Sequence, residues 1–296
     1  MARVLLTGSS GLIGRATARA LLDAGHEVVA LTRSGTAEAG LRALACDLLD
    51  PEATARAVDA ARADHLVHLA WHADARDRWV SPANLDWMTA TIHLVRRFAE
   101  AGGTRAVCAG SCAEYDWTFA DLSERTPLNP ATLYGAAKAG TGLALSAAAP
   151  RLGLSLAWAR IFFVYGAGEP RGRLLGDLIA GLRAGEPVEC TDGLQERDFL
   201  HADDLGRLLA ALLASELAGP VNVASGQAIP VRVLIAEIAR QLGRPDLVRL
   251  GARPRPAADP PRLAADVSRL AGALGSIQTC DLSTGVAAIL EAEVTA

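Results

Sequence analysis

Residues 7–14 read Thr7-Gly8-Ser9-Ser10-Gly11-Leu12-Ile13-Gly14, and the reading of this turn decides the fold. It follows the apolar run 4–7 and opens a stretch, 12–24, whose apolar positions recur at helical spacing. Glycine lets a backbone pass close to a pyrophosphate. A helix that begins there offers unpaired N–H groups and the positive end of its dipole. Three glycines alone would also suit a tight turn. Their place between a strand and a helix instead predicts a dinucleotide cradle formed by Gly8, Ser10, Gly11, Leu12, Ile13 and Gly14.

Outward from this turn, short apolar runs alternate with amphipathic stretches. Strands are predicted at 4–7, 26–32, 43–46, 65–70, 106–109 and 154–161, and helices at 12–24, 51–61, 82–101 and 133–149. Such alternation predicts an α/β fold, a Rossmann-like doubly wound parallel sheet with right-handed crossovers and ligands at the strand C-terminal ends. Beyond about residue 165 the rhythm loosens. Segments 166–200 and 250–282 are rich in Gly, Pro, Asp and Arg, with helices near 173–184, 204–215 and 230–242. The expected organisation is a dinucleotide domain over 1–165, with a return near 195–215, and a smaller substrate-binding lobe over 166–296. The Pro-rich run 253–262 reads equally as a rigid surface connection or as a loop over a ligand.

Composition narrows the partners. With 51% hydrophobic and 21% charged residues the chain has ample core for a globular protein and is not disordered. A net charge of -4 offers no basic face for nucleic acid. The five cysteines are scattered (Cys46, Cys108, Cys112, Cys190, Cys280) and lack the paired spacings of a metal site or a disulfide framework. No run of 18 apolar residues spans a membrane, and Met1-Ala2-Arg3 leads straight into a strand, so a cytoplasmic location is expected.

The end of the second strand bears on the cofactor. An NAD-binding chain usually places Asp or Glu about 20 residues beyond the glycines, on the ribose 2′-hydroxyl. Here the sequence is Leu31-Thr32-Arg33-Ser34. Arg33 can pair with a 2′-phosphate through its fork of donors and Ser34 can add a hydrogen bond, so NADP(H) is preferred, with NAD(H) possible. Asp47 and Leu48 are expected beside the adenine, although Asp47 would equally serve a helix N-terminus. Leu69 and Ala70, ending one strand, and Ile161, ending another, complete the expected cofactor-binding set.

A second motif carries the chemistry. Of 29 basic side chains 28 are arginine, and the single lysine, Lys138, stands four residues after Tyr134 in Tyr134-Gly135-Ala136-Ala137-Lys138. On a helix the two share a face, and a nearby ammonium would lower the phenol's pKa for acid–base work. Ser111, closing the preceding strand, would hold a substrate carbonyl. The catalytic set is therefore Ser111, Tyr134 and Lys138, with Tyr134 and Lys138 also reaching the cofactor.

With these motifs in this order the chain resembles the extended short-chain dehydrogenase/reductases, and more narrowly the NAD-dependent epimerase/dehydratase family acting on sugar nucleotides. The resemblance continues in Arg160-Ile161-Phe162-Phe163-Val164-Tyr165-Gly166 and in Gln195-Glu196-Arg197-Asp198-Phe199-Leu200-His201-Ala202-Asp203-Asp204. It implies that Arg197 contacts the diphosphate of a nucleotide sugar, with Arg255 or Arg262 as a second arginine. Cys112, Phe163 and Arg173 join the expected substrate-binding set. Asp203 is expected to cap the helix beginning near Asp204, and His201 to pack at the lobe junction. Phe163 stands where many relatives carry asparagine. The Asp-Glu pair that dehydratases use is absent after Ser111, where the chain reads Cys112-Ala113-Glu114.

The resemblance thus implies an NADPH-dependent reductase of a nucleotide-linked keto-sugar, with hydride going to C4 of an NDP-4-keto-6-deoxyhexose and Tyr134 as proton donor. An NAD-dependent nucleotide-sugar 4-epimerase is the nearest alternative. A non-catalytic NADP sensor of the same fold is a third, which the intact Ser-Tyr-Lys set argues against. The resemblance also implies a homodimer through a four-helix bundle of the 82–101 and 133–149 helices. Substrate choice is expected in the 71–87 loop with Trp71, Trp79 and Trp87, in the 112–130 loop and in the second lobe. No metal is expected.

Overall fold

The computed structural model describes residues 1–72, 74, 77–275 and 278–293. The first part of the chain runs β1 (Arg3–Thr7), α1 (Leu12–Asp23), β2 (Glu27–Thr32), β3 (Arg42–Ala45), α2 (Pro51–Ala61), β4 (His65–His68), α3 (Ala83–Glu100) and β5 (Arg105–Ser111). It continues through β6 (Asp121–Leu122), α4 (Leu133–Ala148), β7 (Ser155–Ile161), β8 (Phe163–Tyr165), α5 (Leu174–Ala184), β9 (Val188–Glu189), β10 (Glu196–His201), α6 (Ala202–Ala214) and β11 (Gly219–Val223). The last part comprises β12 (Ala228–Pro230), α7 (Val231–Gln241), β13 (Val248–Arg249), β14 (Arg262–Ala265), α8 (Ser268–Leu274) and α9 (Leu282–Ala292).

Seven strands form one all-parallel sheet in the order β11-β7-β5-β4-β1-β2-β3. Val4, Leu5, Leu6, Val28, Val29, Leu66, Val67 and Val107 are buried, as strands covered on both faces require. On one face α1 and α6 supply Ala18, Leu21, Leu205 and Leu209. On the other, α2, α3 and α4 supply Val58, Leu94, Phe98 and Leu145. The strand order reverses between β1 and β4, so the crevice at their C-terminal ends is the topological switch point where ligands bind in such sheets.

The second layer is built around β10, which pairs with β12 antiparallel and with β14 and β8 parallel. Helices α5, α7 and α9 close over it through Leu178, Leu182, Leu234, Ile238 and Ile289. The chain returns to the main sheet through α6, which packs with α1 on one face, and through β11, which pairs with β7 from Gly219 to Val223. Two cap assignments also change. Asp50, not Asp47, caps α2, accepting from the N–H groups of Glu52 and Ala53. His201, not Asp203, caps α6 by accepting from the Asp203 N–H, and its ring lies edge-on to Tyr165 at 5.3 Å between centroids.

Candidate active site

The glycine turn is shaped by close approaches. Gly8 has φ +75°, and a Cβ there would stand 2.8 Å from the Ala70 nitrogen. A Cβ on Gly14 would collide with the Gly8 carbonyl. Gly11 caps α1 without a side chain, which leaves the first-turn N–H groups of Leu12 and Ile13 to a ligand. Thr7 Oγ1 accepts from the N–H groups of Leu69 and Ala70 at 3.2 Å and lies 2.7 Å from His68 Nδ1. Because that hydroxyl already accepts twice, its own proton goes to Nδ1, and His68 carries its proton on Nε2, toward Thr91 at 2.9 Å. Buried and neutral, His68 has its pKa pulled down to about 3 by burial, with a further push from Lys138.

At the rim of this cradle, Arg33 and Ser34 are exposed just past β2, where the Ser34 hydroxyl meets that of Thr36 at 2.7 Å. Asp47 is exposed, with its carboxylate accepting from the Leu49 N–H, while Leu48 is buried. Ser10 is exposed and its carbonyl accepts from Arg15. Leu69 and Ala70 follow the end of β4, and Ile161 ends β7 in register with Ser111 and Val223. A cradle too tight for a Cβ, opening on free helix N–H groups, fits a dinucleotide pyrophosphate.

The acid–base groups meet above β5. Thr132 caps α4 by accepting from the Gly135 N–H at 3.1 Å, which aims the first turn at the sheet edge. Tyr134 lies beside Ser111, which acts on its phenol. Burial pushes that phenol up to about 12; Ser111 and Arg78 oppose the shift, and Cys112 and Glu114 add to it. The cation acting on the phenol is Arg78. The Lys138 ammonium donates to the Ala109 carbonyl at 2.7 Å and lies 3.8 Å from the centroid of the Trp71 ring. Its own pKa is lowered to about 7 by burial, against the pull of Glu114 and Cys108.

Behind Ser111 stands a network that the sequence reading passed over. Glu114, fully buried, accepts at Oε1 from the Ser111 N–H (2.8 Å) and Trp158 Nε1 (2.9 Å), and at Oε2 from Arg160 Nε (2.8 Å). Arg160 donates to the Tyr115 hydroxyl at 3.0 Å, which donates to Asn222 Oδ1 at 2.6 Å. Gly142 admits the Trp158 indole, since a Cβ there would stand 2.5 Å from Nε1. The signal was in the sequence: Ser111-Cys112-Ala113-Glu114 is an S-x-x-E capping box, and both of its bonds form. Arg78, Trp71 and Asn84 were also missed, and only the fold brings them to the site.

The expected substrate residues separate into two groups. Arg197, buried, pairs with Asp259 and donates to the Pro260 carbonyl at 2.9 Å, with its guanidinium 5.4 Å from the centroid of Phe163. Arg255 acts electrostatically on Arg197, whereas Arg262 is held by Glu196 and Asp121 on β14. Arg173 lies 3.5 Å from Glu169 and acts on Arg78, which in turn acts on Tyr134. Cys112 is buried among Phe162, Leu263 and Ala265, and burial pushes its thiol up to about 12. That thiol is no ready acid–base group.

A dinucleotide cradle at the switch point and a Ser-Tyr-Lys set above the next strand define an NAD(P)-dependent oxidoreductase of the extended short-chain type. The chain belongs to the NAD dependent epimerase/dehydratase family, whose model matches residues 4–224. It is 33% identical over 253 residues to 2'-dehydrokanamycin reductase of Streptomyces kanamyceticus, covering 82% of this chain and 67% of that protein. It is 32% identical over 261 residues to dTDP-6-deoxy-L-talose 4-dehydrogenase (NAD(P)(+)) of Kitasatospora kifunensis, covering 82% and 80%. Among solved structures, MoeE5 in complex with UDP-glucose and NAD superposes with a TM-score of 0.87 at 29% identity, over 99% of both chains.

Proposed function

We propose that this chain is an NADPH-dependent reductase of a nucleotide-linked keto-sugar, acting at C4 of an NDP-4-keto-6-deoxyhexose. The observation that carries this reading is the placement of the half-buried Tyr134 beside Ser111, with a phenol that burial keeps protonated. It supplies a proton donor, while the neighbouring groups able to serve further acid–base steps are engaged elsewhere. Glu114 is locked by Ser111, Trp158 and Arg160, and Cys112 is an apolar-packed thiol. Reduction needs one proton donor, whereas elimination of water needs an acid and a base. The similarity to a dTDP-6-deoxy-L-talose 4-dehydrogenase supports a nucleotide-linked sugar, and the similarity to a 2'-dehydrokanamycin reductase supports reduction.

Ser111 would hydrogen-bond the carbonyl oxygen of the ketone, and Tyr134 would pass its proton to that oxygen as the alkoxide forms. Lys138 would hold the ribose next to the nicotinamide. A reduced nicotinamide, when bound, supplies the hydride. Arg33 and Ser34, exposed at the rim, support NADP(H), and Arg197 with Arg255 support a diphosphate site once Asp259 yields to it.

Two further features belong to this reading. The outward face of α4 exposes Ala136, Leu143, Ala144 and Ala147, an uncharged face suited to a homodimer through a four-helix bundle, and neighbouring α3 adds Leu85 beside the charged Asp86. The five cysteines are unpaired thiols, as in a reducing cytoplasm, and no helix among the described residues is long and apolar enough to cross a membrane.

The test is NADPH oxidation, read at the nicotinamide absorbance, with an NDP-4-keto-6-deoxyhexose, alongside NADH and alongside denaturation of the purified protein. Turnover that consumes NADPH supports the proposal. Sugar interconversion without added cofactor, together with NAD(H) released on denaturation, would instead assign the 4-epimerase. NADP binding without turnover across a broad substrate panel would assign a sensor.

A further inference from the structure

The Lys138 ammonium rests between the Ala109 carbonyl at 2.7 Å and the face of the Trp71 indole, whose centroid is 3.8 Å away, with the Trp158 ring farther off at 5.9 Å. The indole is itself tethered, because its Nε1 donates to Asn84 Oδ1 at 2.8 Å. Asn84 is fully buried at the start of α3, and its amide nitrogen donates to the Arg78 and Ser81 carbonyls at 2.8 and 2.9 Å. All the hydrogen-bonding atoms of the Asn84 amide are engaged, so the ring is fixed in place rather than resting by chance on a neighbour. A buried ammonium needs such compensation, and an aromatic face over a desolvated cation supplies it.

We infer that Trp71, held by Asn84, is a positioning residue that keeps Lys138 charged and aimed at the cofactor-binding crevice. Its ring does what a carboxylate would do for a buried lysine, without forming an ion pair that the incoming ribose would have to break. The other titratable groups acting with Lys138 are Glu114 beyond β5, Cys108 on β5 and His68 on β4. Glu114 is already satisfied by three donors, and Cys108 and His68 are neutral at working pH because burial opposes their charged forms. Trp71 is therefore the side chain in closest contact that favours the charged lysine. The catalytic part of this inference rests on Lys138 holding the cofactor ribose, but its physical part is testable without it.

The single lysine of the chain makes the test direct. In protein labelled with [13C]lysine, one Cε–Hε signal reports the position and the protonation of Lys138. The wild-type signal is expected to show an upfield ring-current shift and to titrate near neutral pH. Trp71→Leu is expected to remove most of the ring-current shift and to lower the titration midpoint by about one pH unit. Trp71→Phe is expected to stay near the wild type. Pentafluorophenylalanine at position 71, which keeps the shape but reverses the charge of the ring face, is expected to follow Leu and guards against a Leu variant that fails to fold. The alkaline limb of kcat/KM for NADPH should move with the NMR midpoint. If all three variants titrate together, whether at the wild-type midpoint or below it, the inference is overturned.

Discussion

Glu114 Oε2 accepts a hydrogen bond from Arg160 Nε at 2.8 Å while Oε1 holds the Ser111 N–H, so one buried carboxylate ties Ser111 to β7. Removing one partner of a buried pair strands the other charge, a cost of about 3 kcal/mol or more. Glu114→Gln is expected to destabilise the fold by that amount in urea denaturation and to lower kcat through displacement of Ser111. A variant with wild-type stability would contradict the role given to this pair.

Tyr134 is the proton donor of the proposed reaction. Tyr134→Phe is expected to reduce kcat by about 10²–10⁴-fold while leaving NADPH affinity nearly unchanged. Lys138→Arg should lose most activity too, because a planar fork does not fit the perch between Ala109 and Trp71 that the compact ammonium occupies. Steady-state kinetics with both variants check this, and a Tyr134→Phe enzyme of near wild-type rate would remove the phenol from the chemistry.

The buried His68 makes stability depend on pH. Its folded pKa, about 3, lies below the ordinary value of 6.5, so the fold favours the neutral ring. The contribution is fully present above pH 6.5 and is lost as pH falls toward 3, at up to about 1.4 kcal/mol per pH unit. His68→Gln, which cannot titrate, should show a flatter decline in denaturation midpoint over that range. Equal slopes for the two proteins would count against a neutral His68.

Arg33 at the rim of the cradle is expected to set cofactor choice. Arg33→Asp removes a charge-assisted pair to a 2′-phosphate and should raise KM for NADPH about 10–100-fold, with NADH little affected. Equal changes for the two cofactors would show that Arg33 does not read the phosphate.

Much of the main sheet was legible because its strands are apolar runs and its helices carry local stop and start signals. Helix α2 begins and ends where expected, at Pro51 and Ala61, since Asp50-Pro51 combines a capping side chain with a proline at the first helical position. Strands β10 and β11 were not legible. Glu196-Arg197-Asp198 and Gly219-Pro220 lack an apolar pattern, and their pairing depends on partners distant in sequence. Ser111, Tyr134 and Lys138 were found by spacing, and Glu114 was within reach as a capping box. Trp71 and Arg78 were not, because no local pattern announces a ring laid on a lysine or a guanidinium turned toward a phenol. The Asp259 carboxylate on Arg197 was likewise invisible in a run that reads only as rigid loop.

The central claim is net reduction at a sugar carbon, and isotope transfer tests it most directly. NADPH dideuterated at nicotinamide C4 would be supplied with an NDP-4-keto-6-deoxyhexose and the product examined by mass spectrometry and NMR. The account predicts one deuterium at sugar C4 for each NADPH consumed, with the signal lost in Tyr134→Phe. A product that forms without deuterium, while NADPH is left unconsumed, would contradict it.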